Sequence, residues 1–220
     1  DATFAAANSS AKSLEETERL LVPQAGEEHS EKDTSEFCGI ELHEVAYSRR
    51  DPAGSSTFRL GPINLSVNRG EVLFVTGGNG SGKSTLLNVL VGLYPHDSGE
   101  FLMNGKVLDS GSIHLWQQHI SAVFYNFHLF PKPYGLVLHS TEYVVELMQE
   151  LELDLDLLKP DGYFRNLALS AGQRKRLALI TALLENRPVL VLDEWAADQD
   201  PYFKKKFYTK IHLYSSIILR

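Results

Sequence analysis

Hydrophobic and polar positions along this chain follow two periods, which predict strands and helices. Short apolar or alternating runs bounded by turn residues predict strands at residues 40–47, 58–67, 72–76, 120–124 and 189–192, and a hairpin at 101–108 around Asn104 and Gly105. Helices are predicted at residues 83–93, 113–118, 141–151, 170–184 and 201–214. The runs 72–76 and 189–192 are almost wholly apolar, as in parallel strands covered on both faces. The pattern predicts an α/β fold.

Residues 1–36 differ from the rest of the chain in being rich in alanine, serine and acidic side chains. Ser13 and Glu16 resemble a capping box, which predicts a short helix through Leu21, and a polar linker follows to Glu36. This segment is either a floppy tail or a tether from a preceding domain. The start lacks methionine and has neither a basic region nor a long apolar core, so we expect a fragment without a signal peptide.

Composition excludes several classes of protein. The 220 residues are 43% hydrophobic and 22% charged, with a net charge of −7, which suits a globular domain and gives no basic field for nucleic acid. No run approaches the ~18 apolar residues of a membrane span. The single cysteine, Cys38, has no intramolecular disulfide partner, which fits a reducing compartment. The basic runs 174–176 and 204–206 are interpreted as solvated helix faces.

A glycine-rich loop lies between the predicted strand 72–76 and the predicted helix 83–93. The run Gly77-Gly78-Asn79-Gly80-Ser81-Gly82-Lys83-Ser84 fits G-x-x-x-x-G-K-[ST], the phosphate-binding loop, in the strand–loop–helix context that the motif requires. Its glycines let successive N–H groups point at one anion, and the helix start favours phosphate. Lys83 is expected on the β- and γ-phosphates, and Ser84 on Mg²⁺. The motif predicts binding of a nucleoside triphosphate without specifying the reaction.

Two carboxylates follow the apolar strand 189–192. Ligands of such sheets bind at the carboxyl ends of the strands, so Asp193 and Glu194 are expected beside the phosphates. Asp193 is predicted to bind Mg²⁺, and Glu194 to polarise the attacking water as a general base. Without the phosphate loop, the same pair would be an ordinary acidic turn.

The predicted helix 170–184 begins with Leu169-Ser170-Ala171-Gly172-Gln173, which resembles the LSGGQ signature of ABC ATPases with Ala171 in place of the first glycine. The order of phosphate loop, signature and acidic-ended strand resembles an ABC nucleotide-binding domain over residues 37–220. The resemblance implies a P-loop NTPase (RecA-like) core sheet, an antiparallel β subdomain and a helical signature subdomain at about 128–170. It also implies a domain truncated at its C-terminus.

The resemblance implies ATP sandwiched in a head-to-tail dimer of two such domains. It also implies a transmembrane domain as a further partner, on the same or a separate chain. Lys83 of one copy and the signature of the other would share each ATP. ATP contacts are assigned to Tyr47, Gly77, Asn79, Gly80, Ser81, Gly82, Lys83, Ser84, Thr85, Ser170, Gly172 and Gln173. Tyr47 would stack on adenine, although a strand-end tyrosine of this kind also suits core packing. Asp200 matches the aspartate of the loop that contacts the dimer partner.

The chain departs from the family pattern at two places. Tyr125 stands where the family has a glutamine that senses metal and water, and Asn126 is the nearest amide that could replace it. The family's switch histidine follows one further apolar strand after the 201–214 helix, and the chain reaches Arg220 before any match; His212 comes too early. We therefore expect the isolated chain to bind ATP well and to hydrolyse it poorly.

The run Trp195-Ala196-Ala197-Asp198-Gln199-Asp200-Pro201 is similar to the exporters of cyclic or modified peptides, such as the pyoverdine-precursor, syringomycin-type and microcin exporters. This resemblance implies six membrane helices before residue 1, with residues 1–36 as the connection. It also implies a position on the cytoplasmic face of the bacterial inner membrane. Residues 127–135 would face the membrane domain, although Phe127, Phe130 and Tyr134 suit a core equally well.

Two other classes of protein compete with this reading. A soluble ABC ATPase, or an ATPase subunit paired with a separate permease, would share every motif named above. A P-loop kinase would share the phosphate loop but has no use for a second γ-phosphate site supplied by a partner. Nucleotide-dependent dimerisation separates the kinase from the ABC proteins, and membrane spans on the same polypeptide separate an exporter from a soluble ATPase.

Overall fold

A computed structural model describes residues 36–50, 56–130, 141–159, 164, 169–210 and 216–219. The chain divides into two units, Asp1–Asp33 and Thr34–Arg220, and every described residue belongs to the second. The predicted tether, including the helix that starts near Ser13, lies outside the described residues except for Glu36. The domain boundary near residue 37 therefore stays a prediction.

Eight strands and five α-helices are described, in the order of the chain. They are β1 Gly39–Arg50, β2 Ser56–Asn68, β3 Val72–Phe74, α1 Lys83–Leu90, β4 Ser98–Met103, β5 Lys106–Val107, α2 Ile113–Gln117, β6 Ile120–Val123, α3 Thr141–Glu150, α4 Ala171–Leu184, β7 Val189–Leu192, α5 Pro201–Lys210 and β8 Ser216–Leu219. Short 3₁₀ turns occupy Leu155–Leu157 and Trp195–Asp198. The mixture of strands and helices confirms the predicted α/β class.

The first sheet is antiparallel, in the order β2-β1-β4-β5. Its last hairpin is the one predicted around Asn104 and Gly105, whose φ angles of 53° and 76° are those of a type I′ turn. The Asn104 side chain also accepts hydrogen bonds from the backbone N–H groups of Cys38 and Gly39 at 2.7 and 3.2 Å. The tip of this hairpin therefore anchors the start of β1. This sheet is the antiparallel β subdomain expected from the family resemblance.

The second sheet is parallel, in the order β3-β8-β7-β6. All four residues of β7 are buried, and they alternate between two hydrophobic cores: Leu190 and Leu192 face one, and Val189 and Val191 the other. This is the arrangement that the continuous apolar pattern predicted for a strand covered on both faces. The first of these cores lies among α3, α4 and α5, and the second lies between the antiparallel sheet and the helices α1 and α2.

The last part of the chain contains a strand that was not predicted. The helix predicted over residues 201–214 is found as α5 over Pro201–Lys210, and residues 211–215 lie outside the described part. Ser216–Leu219 then form a strand. Ile217 pairs with Val72 of β3 on one side and with Leu190 of β7 on the other. The apolar strand that the family places before its switch histidine is therefore present in this chain.

Several predicted boundaries shift by a few residues for local reasons. The predicted helix 83–93 ends at Leu90, because Gly92 adopts the left-handed conformation with φ 71° and closes the helix. The signature helix begins at Ala171 with Ser170 as its N-cap. Within the described ranges, no helix is both long enough and apolar enough to cross a membrane.

Candidate functional site

The phosphate loop connects β3 to α1 and has the backbone of an anion cradle. Gly80 and Gly82 have φ angles of 77° and 92°, which side-chain-bearing residues rarely adopt. At Gly82 a Cβ atom would also lie 2.7 Å from the ring of Phe58 on β2, so packing and conformation both require glycine there. The loop is thus held against the antiparallel sheet while its exposed residues, including Asn79 and Ser81, face solvent.

Lys83 is the first residue of α1, and its ammonium lies over the loop. Its Nζ atom donates hydrogen bonds to the carbonyl oxygens of Gly77 and Gly78 at 2.8 and 2.7 Å. Helix α1 begins without a side-chain cap, and Ser84 and Thr85 follow in its first turn. A glycine loop, an ammonium and an uncapped helix start together form the arrangement that binds the phosphates of a nucleotide. The loop residues assigned from the sequence therefore lie together at the junction of β3 and α1, and their contact with ATP stays a prediction.

Asp193 and Glu194 follow β7 at the carboxyl end of the parallel sheet. Asp193 is buried, and its backbone N–H donates to the carbonyl of Val123 at 2.9 Å, so the ladder between β6 and β7 continues one residue beyond the strand. Glu194 has φ 49° and ψ 28°, a left-handed conformation that turns the chain into the 3₁₀ segment Trp195–Asp198. The phosphate loop leaves the same edge of the sheet from β3, on the far side of β8.

The residues at this edge suit a magnesium ion bound to a triphosphate. Mg²⁺ prefers oxygen ligands and keeps several waters, so one or two protein oxygens plus phosphate oxygens are enough. Asp193 at the end of β7 and Ser84 in the first turn of α1 supply donors of that kind. Among the described residues there is no cluster of three or more His, Cys, Asp or Glu side chains that would form a self-sufficient metal cage. The donor set therefore fits Mg²⁺ brought in with its nucleotide.

The signature segment is a fully formed capping box. The hydroxyl of Ser170 accepts a hydrogen bond from the backbone N–H of Gln173 at 3.2 Å, and the Gln173 side chain accepts one from the N–H of Ser170 at 3.0 Å. The capping box thus satisfies two backbone N–H groups at the start of α4 within the chain. Ser170 and Gln173 are exposed or half-buried, and so remain accessible from outside this chain.

Gly172 lies in close contact with the turn that follows β7. A Cβ atom there would lie 2.9 Å from the carbonyl oxygen of Asp198 and 3.3 Å from the side-chain oxygen of Gln199. The buried Gln199 in turn donates its amide to the carbonyl oxygen of Gly172 at 3.0 Å. The second glycine of the signature is therefore required by packing within the chain, whereas Ala171 is exposed and tolerates its methyl group.

The interpretation of residues 174–176 as a solvated basic face was wrong for two of the three. Lys175 is 4% exposed and forms an ion pair with Asp198 at 2.7 Å. Arg176 is also largely buried; its Nε atom donates to Gln199 at 2.8 Å, and its Nη2 atom lies 3.2 Å from a carboxylate oxygen of Asp200. Only Arg174 is exposed. The sequence signal that could have identified them is the pair of aspartates, at 198 and 200, in the turn beside the signature helix.

Asp200 caps α5 within its own chain. Its carboxylate accepts a hydrogen bond from the backbone N–H of Phe203 at 2.9 Å. That hydrogen bond and, to a smaller extent, the nearby Arg176 guanidinium hold the pKa of Asp200 below its usual value. The guanidinium of Arg176 also stacks 3.5 Å from the centroid of the Phe203 ring. Contact of Asp200 with a dimer partner stays a prediction from the family resemblance.

Tyr47 on β1 forms an aromatic pair with Tyr94, which follows α1 closely. The two rings are nearly parallel, with an interplanar angle of 15° and centroids 5.2 Å apart. Tyr47 also packs against the core between the antiparallel sheet and α1. The core-packing alternative for Tyr47 is therefore realised in part, and stacking on adenine stays a prediction. Tyr94 was missed because nothing in its local sequence indicates a partner on β1.

A cleft of about 430 Å³ lies between the loop after β6 and the start of α4. It is lined by Tyr125, Asn126, Phe127, Ala171, Arg174, Lys175 and Asp198. The two residues at the expected glutamine position, Tyr125 and Asn126, are exposed. Phe127 packs against the core, Phe130 is 60% exposed, and Tyr134 lies outside the described residues. Core packing is therefore realised for Phe127 and not for Phe130, and a contact of this segment with a membrane domain stays a prediction.

Comparison with known proteins places these motifs in one family. The family model described as ABC transporter matches residues 60–197 of the chain. The chain therefore belongs to the ABC transporter family and carries its ATPase domain.

Particular relatives agree with this assignment. The chain is 44% identical over 177 residues to the ATP-binding protein SyrD of Pseudomonas syringae pv. syringae, covering 78% of this chain and 31% of that protein. It is 30% identical over 189 residues to the ATP-dependent lipid A-core flippase of Aromatoleum aromaticum, covering 79% of this chain and 30% of the flippase. The chain thus spans about a third of the length of these curated relatives.

The fold is also that of solved ABC proteins. A bacterial Atm1-family ABC exporter with ATP bound superposes with a TM-score of 0.74 at 19% identity, covering 99% of this chain and 41% of the exporter. At that identity the likeness supports the fold alone. The predicted RecA-like core sheet with an antiparallel subdomain is confirmed.

Proposed function

We propose that this chain is the ATP-hydrolysing motor domain of an ABC exporter at the cytoplasmic face of a bacterial inner membrane. One observation carries the proposal: a lysine-bearing phosphate loop and an aspartate–glutamate pair lie at the same edge of one parallel sheet. The similarity to an ATP-dependent lipid A-core flippase supports the assignment to an exporter.

Each residue at this edge has a chemical task in ATP hydrolysis. Lys83 and the loop N–H groups bind the β- and γ-phosphates, and Ser84 and Asp193 hold Mg²⁺, which neutralises charge on the phosphate oxygens. Glu194 accepts a proton from the attacking water. Phosphoryl transfer needs positioning and charge stabilisation more than covalent chemistry. These groups are therefore the contribution of one copy of the domain to the hydrolysis of each ATP.

The signature segment completes the site from a second copy of the domain. Ser170 and Gly172 lie at the start of α4, where backbone N–H groups and the helix dipole favour an anion. Since ATP would contact the loop of one copy and the signature of the other, it binds the closed dimer better than the open one and thereby drives closure. Hydrolysis removes that difference, and the dimer reopens.

The assignment of Glu194 is tested with Glu194→Gln in the full-length protein. Removing a general base costs about 10²–10⁴-fold, so we expect turnover to fall at least ~100-fold while ATP affinity changes little. The variant should also accumulate as an ATP-bound dimer, which size-exclusion chromatography with light scattering detects. Glu142→Gln, an exposed residue of α3, is the matched control. Undiminished turnover in Glu194→Gln would remove Glu194 from the mechanism.

The proposed cargo is a cyclic or modified peptide, on the basis of the segment from Trp195 to Pro201 and its similarity to that group of exporters. The test uses the full-length protein in proteoliposomes. A cyclic peptide should stimulate ATP turnover, whereas the same peptide after hydrolytic ring opening should not. Equal stimulation by both forms, or by neither while another class of lipid or solute stimulates, would refute the cargo assignment and leave the ATPase assignment intact.

A further inference from the structure

Lys175 connects three segments that surround the acidic end of β7. It projects from α4 and is 4% exposed. Its ammonium donates to the backbone carbonyl of Glu194 at 2.6 Å, pairs with the carboxylate of Asp198 at 2.7 Å, and lies 5.6 Å from the centroid of the Tyr125 ring. The buried ammonium of Lys175 therefore binds the turn after β7 and lies near the loop after β6.

The carbonyl that Lys175 binds belongs to a residue with an unusual backbone. Glu194 adopts φ 49° and ψ 28°. This left-handed conformation is unfavourable for any residue with a Cβ atom and persists only where the surrounding structure enforces it. The same carbonyl accepts the N–H of Ala197 at 3.1 Å. Two donors thus fix the orientation of the peptide plane that follows Glu194, and this orientation determines where the Glu194 side chain leaves the chain.

Trp195, in the turn after β7, forms a second hydrogen bond between this turn and the signature helix. Its indole Nε1–H donates to the backbone carbonyl of Lys175 at 2.9 Å, and its buried ring packs 4.1 Å, centroid to centroid, from Phe207 of α5. The turn after β7 therefore donates to the signature helix, and the signature helix donates back to that turn. Such a reciprocal arrangement holds the backbone at residue 194 more firmly than either bond alone.

We infer that Lys175 is a positioning residue for ATP hydrolysis, which holds the backbone of Glu194 in the conformation that aims its carboxylate. The inference rests on the proposed role of Glu194 as general base. It differs from the simpler view that Lys175 only neutralises the charge of Asp198. Asp198 is 43% exposed, so water already stabilises its carboxylate in part, and charge neutralisation by itself does not require a buried lysine.

A double-variant experiment in the full-length protein separates these two views. Lys175→Met removes the ammonium but keeps an unbranched side chain of similar length, and Asp198→Asn removes only the charge of its partner. We expect Lys175→Met to lower kcat for ATP about tenfold or more, with KM changed less than about twofold, because the misplaced group acts after ATP binds. Asp198→Asn should have a smaller effect, since it leaves the bond from Lys175 to the Glu194 carbonyl in place.

The double variant Lys175→Met/Asp198→Asn gives the decisive result. It should remain as slow as Lys175→Met, because neither substitution restores a donor to the Glu194 carbonyl. Recovery of wild-type kcat in the double variant would show that Lys175 only balances the charge of Asp198 and would overturn the inference. Wild-type kcat in Lys175→Met alone would overturn it as well.

Two controls keep the result interpretable. Lys205→Met changes an exposed lysine of α5 in the same way and should leave kcat unchanged. Near-ultraviolet circular dichroism and thermal unfolding of Lys175→Met check that the fold around Trp195 is intact. Should this variant unfold, Lys175→Leu replaces it, which also removes the donor and should lower kcat in the same way. Combining Lys175→Met with Glu194→Gln should cause no further loss. If Glu194→Gln alone keeps its turnover, the general-base assignment fails independently of Lys175.

Discussion

The chain contains two helix starts that are assigned to phosphate, and they are built in opposite ways. Helix α1 begins after Gly82 in a left-handed conformation, with no side-chain cap. Helix α4 begins at Ser170 with both halves of a capping box formed inside the chain. The first start therefore offers its backbone N–H groups to a ligand, whereas the second satisfies two of its N–H groups by itself.

This difference indicates which of the two helix starts binds the phosphates of ATP first. A phosphate that approaches α1 meets the glycine loop and the ammonium of Lys83 without having to displace a side-chain cap. At α4, a phosphate must share or exchange the hydrogen bond between Ser170 and Gln173, so its net gain is smaller. We therefore expect the phosphate loop to bind ATP in one copy alone, and the signature to add its contribution only when the dimer closes.

In the comparison of the two helix starts, the largest expected effect comes from removing the ammonium of Lys83 at the start of α1. Lys83→Met should weaken ATP binding about 10- to 100-fold, because hydrogen bonds to charged groups contribute ~1.5–3 kcal/mol. Titration of the purified chain with a fluorescent ATP analogue measures this change. Lys205→Met should bind as the wild type does. Equal affinities of Lys83→Met and wild type would mean that the phosphates do not bind at this loop.

The next effect comes from the two central positions of the signature, Ala171 and Gly172, which are not equivalent. Gly172→Ala places a methyl group 2.9 Å from the carbonyl oxygen of Asp198, so the turn after β7 must move, and turnover of the full-length protein should fall about tenfold or more. Ala171→Gly restores the usual family sequence at an exposed position and should change turnover less than about twofold. Steady-state ATPase assays compare the two. A larger loss in Ala171→Gly than in Gly172→Ala would contradict the packing argument.

A smaller effect distinguishes the two starts in the absence of nucleotide. Ser170→Ala removes the capping box of α4 and should cost about 1 kcal/mol, or ~2–4 °C in Tm for a chain of this size. Ser84→Ala lies in the first turn of α1, which has no side-chain cap, and should leave the Tm of the nucleotide-free chain unchanged. Differential scanning calorimetry checks both. Equal losses in the two variants would mean that the cap at α4 does not stabilise the fold.

The smallest effect concerns the acid stability of the turn that contacts the second start. The folded state lowers the pKa of Asp200, so this carboxylate stabilises the fold above its ordinary value of 3.8, and that contribution is lost as the pH falls through the lowered folded value. Asp200→Asn keeps a capping oxygen but removes the charge. Urea unfolding should therefore give Asp200→Asn a lower free energy of unfolding than the wild type at pH 7. The difference between the two free energies should become smaller below about pH 4. A difference that widens with acidification would contradict the sign of this argument.

Much of the site could be predicted from the sequence because its chemistry is local. The phosphate loop needs glycines at fixed spacing beside one lysine, and the capping box needs only Ser170 and Gln173 three positions apart. The acidic pair follows an apolar strand that is buried on both faces, so its place at the sheet edge also follows from a short segment. Each of these features depends on fewer than ten neighbouring residues.

The features that were missed depend on distant partners. β8 is a short apolar segment whose strand conformation comes from pairing with β3 and β7 on either side. Lys175 is in a basic run that resembles a solvated face. Its burial follows from Asp198 and the carbonyl of Glu194, which lie beyond the rest of its own helix and the strand β7. Tyr94 likewise meets Tyr47 only through the fold. Propensity and periodicity carry no information about such pairings.

The position of β8 has a consequence for how the protein is made. β8 inserts between β3 and β7 although it follows both of them in the chain. During synthesis on the ribosome, β6 and β7 can pair as soon as they emerge, but the described sheet offers β3 no neighbour until residues 216–219 arrive. An unpaired strand edge is a template for aggregation. The nascent protein therefore carries an open sheet from the synthesis of β3 until β8 emerges, and chaperones that cover exposed strand edges should be bound to it during that interval.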